Sequence, residues 1–156
     1  MKRHLVIGDL QIKPGVPVRH LEWIGQAIND YKPDVVVNIG DTYDMESLSS
    51  YDSPGSLKME GKRYEADIVA GNEAFDILNR TISHKCKKYY LYGNHEQRIE
   101  RAINKDPRLL GTIGYKDFQT GSDWKHFPYD NGVPGQIEID QIRFAHFFAN
   151  PNTGKP

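Results

Sequence analysis

Apolar and polar residues fall in blocks along this chain, and three apolar blocks end alike. Residues 4–8, 35–39 and 88–92 each run into a glycine: Gly8, Gly40 and Gly93. Asp9, Asp41, Asn94 and His95 sit just past those glycines. Val35-Val36-Val37 is β-branched and continuous, as in a strand buried on both faces. Between the first two blocks, Leu21, Ile24, Ile28 and Tyr31 recur at helical spacing, which predicts a helix over 18–31. Pro17 suits its first turn and Pro33 stops it. The order strand–helix–strand makes a parallel, right-handed crossover.

Residues 45–63 are polar and rich in Ser, Gly, Tyr and Asp. They predict a long loop that leaves the Gly40-Asp41 corner and overhangs it, and long loops are often functional. Ile68, Phe75, Leu78 and Ile82 mark one face of a helix over 64–83. A further helix is expected over 97–104, ended by Pro107. The texture then changes. Residues 124–129, 136–139 and 142–148 predict short strands, with Asp140-Gln141 as a hairpin turn. The fold class is α/β of a mixed α+β kind: a βαβ half followed by a β-rich half, which fits a mixed sheet or two packed sheets, in one domain over 1–156. Residues 150–156 read as loop material directly after an apolar strand carrying His146, as if the chain were cut inside a loop.

The bulk numbers fit that reading. A chain of 156 residues suits one domain. Charged residues make up 26% and the net charge is −1, so no basic excess marks a nucleic-acid binder. Bound cations would still neutralise nucleic-acid phosphates locally, so that substrate class stays open. Cys86 is the only cysteine, which excludes an internal disulfide and thiolate zinc clusters. No apolar stretch is long enough to span a bilayer or make a signal peptide, and a cytoplasmic protein is expected.

A parallel sheet gathers the carboxyl ends of its strands on one edge, where open α/β sheets bind ligands. Two carboxylates, an amide and an imidazole would meet there from distant parts of the sequence. A single Gly-Asp after a strand is ordinary turn chemistry. Three such corners together point to a divalent-metal site. Oxygen and imidazole donors suit Mn²⁺, Fe, Zn²⁺ or Mg²⁺, and a two-metal site needs one carboxylate shared between the ions.

Gly8-Asp9, Gly40-Asp41-Thr42-Tyr43-Asp44, Gly93-Asn94-His95-Glu96 and Ala145-His146 resemble, in order, four signatures of the calcineurin-like metallophosphoesterases. The stretches 47–63 and 93–98 are similar to members from tailed bacteriophages, which would place the protein in a host cytoplasm. The resemblance implies a two-sheet sandwich flanked by helices, incomplete at its C-terminus, with a dinuclear site at one edge. It implies that Asp9 binds the first metal, Asp41 bridges both, and Asn94 and His146 bind the second. His95 then binds no metal and, with Asn94, acts catalytically on the scissile phosphate. Glu96 would orient His95, and Asp44 is a hydrogen-bonding support.

Two departures stand out. Where the family has Asp-x-His, this chain has Asp9-Leu10-Gln11. Gln11 is then the candidate ligand, a weaker donor than imidazole that favours a harder ion such as Mn²⁺ or Mg²⁺. The family's last motif, Gly-His-x-His, is absent, which implies truncation of a longer protein. The expected function is hydrolysis of a phosphomonoester or phosphodiester, nucleotide or DNA included, by a metal-bridging hydroxide between two divalent ions, Mn²⁺ first among them. The alternatives are an inactive or accessory fragment that binds metal weakly, and an exonuclease-like DNA-processing component. Arg98 is a candidate phosphate contact, because guanidinium suits phosphate. His4, His20, His84 and His126 read as structural or surface residues, and Cys86 as inert.

Overall fold

A computed structural model of the protein describes residues 2–53, 55–148 and 150. Strands β1 (His4–Ile7), β2 (Val35–Asn38), β3 (Lys87–Leu91) and β4 (Trp124–Phe127) form one sheet in the order β1-β2-β3-β4. Every neighbouring pair in it is parallel. Helix α1 (His20–Tyr31) connects β1 to β2, α2 (Tyr64–Thr81) leads into β3, and α3 (Arg98–Lys105) follows it. A separate antiparallel hairpin pairs β5 (Gln136–Ile139) with β6 (Ile142–Ala145). No helix among the described residues is long and apolar enough to cross a membrane.

The layers follow from the two-residue period of a strand, which sends successive side chains to opposite faces. Val36, Tyr90 and Ile7 face the helices and pack with Ile28, Phe75 and Leu78. Val35, Val37 and Leu91 face the other way and meet Phe144, Ile137 and Ile139 of the hairpin. All residues of β2 are buried, the Val35-Val36-Val37 run and the Asn38 that ends it. Each such apolar side chain adds roughly 1.5–3 kcal/mol by leaving water.

Helix boundaries follow local chemistry. Lys32 closes α1 in a left-handed conformation (φ 51°), its N–H bonded to the Ile28 carbonyl. Pro33 cannot extend the helix. Glu65 and Asp67 lie in the first turn of α2, where carboxylates favour the positive end of the dipole. Asp67 also accepts the backbone N–H of Ser47 at 2.9 Å, tying the start of the long loop to α2. That loop is not structureless: short 3-10 turns occupy Glu46–Leu48 and Leu57–Met59.

One sequence expectation is sharpened here. Of the strands expected after the βαβ half, the one at Trp124–Phe127 joins the first sheet, parallel to β3, and only the hairpin stands apart from it. The four residues of that strand, Trp-Lys-His-Phe, carry no periodic signal of a partner, so the sequence cannot tell a parallel edge from a hairpin. The hairpin at Asp140-Gln141 forms as expected, with both turn residues at positive φ. Its second strand ends at Ala145, earlier than the apolar run to 148 suggested. The tail at 151–156, read as loop, lies outside the described residues.

Candidate metal centre

The parallel register pairs Ile7 with Asn38 and Asn38 with Tyr90, so three strands end level. Their next residues form three corners on one edge. At the second corner Gly40 (φ 101°) and Asp41 (φ 51°) are both left-handed. The Asn38 carboxamide prepares the turn, accepting from the Gly40 N–H at 2.9 Å and donating to the Thr42 hydroxyl at 2.8 Å. A side chain on Gly40 would strike the backbone of Gly93, and one on Gly93 would strike Asp41. The two corners therefore touch, and only glycine allows it.

Glu96 fastens them. Its fully buried carboxylate accepts the backbone N–H groups of Asp41 (2.9 Å), Thr42 (2.8 Å), Tyr43 (3.1 Å) and Gly93 (2.8 Å), and the Tyr90 hydroxyl (2.6 Å). Burial raises its pKa; the Tyr90 hydroxyl opposes this and the nearby Asp41 charge adds to it, leaving the net shift upward. The expectation that Glu96 orients His95 is thus corrected. Neighbouring residues in a tight turn point apart, and the cluster of inward N–H groups captures the carboxylate.

The first corner is attached more lightly. The N–H groups of Leu10 and Gln11 both bond the Asp41 carbonyl, at 3.1 and 2.8 Å. Ile12 then makes a parallel bridge to Tyr43. Asp9 keeps 47% of its side chain exposed and Gln11 is exposed, whereas Asp41 is buried.

Asp9, Asp41 and His146 bring one ligand atom each within 4.8 Å of one another. His146 arrives just after β6, 105 positions beyond Asp41 (146 − 41). Its Nδ1–H donates to the Ile39 carbonyl at 2.9 Å. In the neutral ring that leaves Nε2 as a lone pair. Nε2 lies 3.0 Å from the Asn94 Oδ1 and 3.5 Å from the Asp41 Oδ2. Three potential ligand atoms thus face one another, and a cation among them would satisfy all three. A hard or borderline divalent cation suits the place, since metal-bound histidines commonly donate their other N–H to a carbonyl. The residues present fit a metal.

His95 sits beside this group, its Nε2 3.7 Å from the Asp41 Oδ2. Its backbone N–H bonds the Asp41 Oδ1 at 2.9 Å. Its Nδ1–H faces Asp44, with the carboxylate Oδ1 at 2.7 Å and the backbone carbonyl at 2.9 Å. Burial lowers the His95 pKa, the Asp44 hydrogen bond and the Asp41 charge raise it, Arg98 lowers it, and the net shift is upward. For Asp44 burial acts upward, but the hydrogen bonds from His95 and Lys13 prevail and hold the carboxyl below its ordinary range. Asp44 is the acid that orients His95.

Arg98 is buried. Its Nη1 donates to the carbonyls of Asp44 (2.8 Å) and Met45 (3.2 Å), and its Nη2 to the His95 Nε2 (3.0 Å). Lys13 escaped the sequence reading. It reaches the Asp44 Oδ2 at 3.1 Å, and the only signal for it was a cation placed close behind the first corner.

A cluster of hard donors at the carboxyl edge of a parallel sheet defines a metal-binding α/β protein. The chain belongs to the calcineurin-like phosphoesterase family, whose family model matches residues 2–150. Membership implies metal-dependent chemistry on phosphoesters. No curated protein and no solved structure matches the chain.

Proposed function

We propose that this protein hydrolyses phosphomonoesters or phosphodiesters with two divalent cations, Mn²⁺ first and Fe, Zn²⁺ or Mg²⁺ as alternatives. Asp9, Gln11, Asp41, Asn94 and His146 would hold them. The observation that carries the reading is the meeting of the His146 Nε2 with Asn94 and Asp41 oxygens. When bound, such ions offset phosphoryl charge and make a coordinated water acidic enough to attack at neutral pH.

The chain's own groups do the rest. Asn94 holds the substrate's phosphoryl group against the site. Once Arg98 releases Nε2 and that nitrogen takes up a proton from water, His95 can protonate the leaving oxygen, a role worth roughly 10²–10⁴-fold. Asp44 fixes the ring through Nδ1 and stabilises its protonated form. Arg98 occupies Nε2 in the resting arrangement and yields that place to the leaving oxygen. We assign Arg98 first to holding His95 and the Asp44-Met45 carbonyls, and to phosphate only beside that ring.

The test is cleavage of a nitrophenyl phosphodiester with Mn²⁺ added. Asp41→Ala and Asn94→Ala abolish it, and His95→Gln slows turnover while leaving Mn²⁺ binding intact. Full activity in excess chelator overturns the proposal.

A further inference from the structure

Lys13 lies where three parts of the site meet. The Ile12–Tyr43 bridge and the bond from the Asp44 N–H to the Ile12 carbonyl (3.2 Å) set its backbone alongside Asp44. Its ammonium contacts the Asp44 Oδ2 at 3.1 Å and the Glu46 Oε1 at 2.9 Å. The other oxygen of Glu46 takes Lys62 at 3.0 Å, at the far end of the overhanging loop. Asp44 thus gives one oxygen to Lys13 and the other to His95.

That division has a mechanical consequence. A carboxylate held by one partner turns freely about its Cβ–Cγ bond, and one held by a different cation at each oxygen does not. The Asp44 side chain is only 5% exposed, so water replaces a lost partner poorly. Lys13 is the one partner of this carboxylate drawn from the first corner. We propose that Lys13 is a positioning residue for leaving-group protonation: it fixes the plane of the Asp44 carboxylate and, through it, the His95 ring.

The inference rests on the role given to His95 above. Nε2, freed from Arg98, first takes a proton from water; as the phosphorus–oxygen bond breaks, its electron pair stays on the leaving oxygen, which takes that Nε2 proton, while Nδ1–H stays on Asp44. A misaligned ring slows this transfer most where the leaving group is a poor one. Lys13 acts at a distance, so its removal costs a part of the general-acid factor, about tenfold for poor leaving groups.

Two readouts test it on the full chain. By proton NMR, before any metal is added, the His95 Nδ1–H shared with Asp44 gives a protected downfield resonance. Lys13→Met broadens or shifts that resonance and Lys13→Arg restores it; an unchanged resonance in Lys13→Met overturns the inference. With Mn²⁺ added, kcat is followed over aryl phosphodiesters from nitrophenyl to phenyl leaving groups. Lys13→Met steepens the dependence on leaving group with KM little changed, while Lys58→Ala, an exposed loop lysine, does not alter it. The Lys13→Met effect disappears when Asp44 is already Asn, because both changes act on one contact. If His95→Gln steepens the dependence and Lys13→Met does not, the inference fails while the role of His95 stands. If His95→Gln slows all leaving groups equally, that role itself fails.

Discussion

The second and third corners differ from the first in how firmly the chain holds them. Asp41 and Glu96 are buried, the corners at Gly40 and Gly93 touch, and five hydrogen bonds to one carboxylate join them. Asp9 and Gln11 instead project from a segment hung on the Asp41 carbonyl, and both are exposed. The lesson is that one half of the donor set is preorganised and the other is not. Asp41, Asn94 and His146 are already held together by hydrogen bonds, so a cation among them would meet little ordering cost. A cation on Asp9 and Gln11 has to order them as it binds.

Glu96→Ala is the harshest break in this contrast. It leaves buried N–H groups without an acceptor and costs about 3–5 kcal/mol of stability. Denaturant unfolding measures the loss, and the variant no longer binds Mn²⁺ at the tighter site. Next comes acid. The Asp44 carboxyl lies below its ordinary range in the folded chain. Its contribution to stability is therefore full above its unfolded-state pKa and lost as pH falls through the folded value. Melting in chelator tracks the decline, and Asp44→Asn flattens it.

Gln11→His sharpens the comparison from the weak side. An imidazole is a better donor than an amide, so the weaker Mn²⁺ site tightens and the stronger one does not change. Calorimetric titration separates the two. The smallest effect is Asp9→Ala, which shifts unfolding by no more than about 0.5 kcal/mol, because an exposed side chain carries little of the fold. A large loss there would show that the first corner is as firmly built as the others.

Much of this was legible in the residues. Val35-Val36-Val37 and the three glycine-ended runs announced parallel strands, and those strands placed Asp9, Asp41 and Asn94 on one edge. His146 was legible as a candidate ligand at the end of a late apolar strand, and the fold brings it beside Asp41. The partner of His95 was not. Glu96 is adjacent to it in sequence, but turn geometry sends that side chain into the corner while Asp44, 51 positions earlier, comes to Nδ1. Lys13 was hidden for the same reason, since an ion pair between two loops leaves no periodic trace. The pairing of Trp124–Phe127 with β3 was also beyond the sequence, because four residues of mixed polarity do not name a strand's neighbour.

The most direct test is Mn²⁺ binding by the full chain against His146→Ala, followed by the electron paramagnetic resonance of free Mn²⁺. The account predicts that the native chain takes up Mn²⁺ with two unequal affinities and that His146→Ala loses the tighter one. Unchanged uptake by His146→Ala, or none by the native chain, would contradict a cation among His146, Asn94 and Asp41.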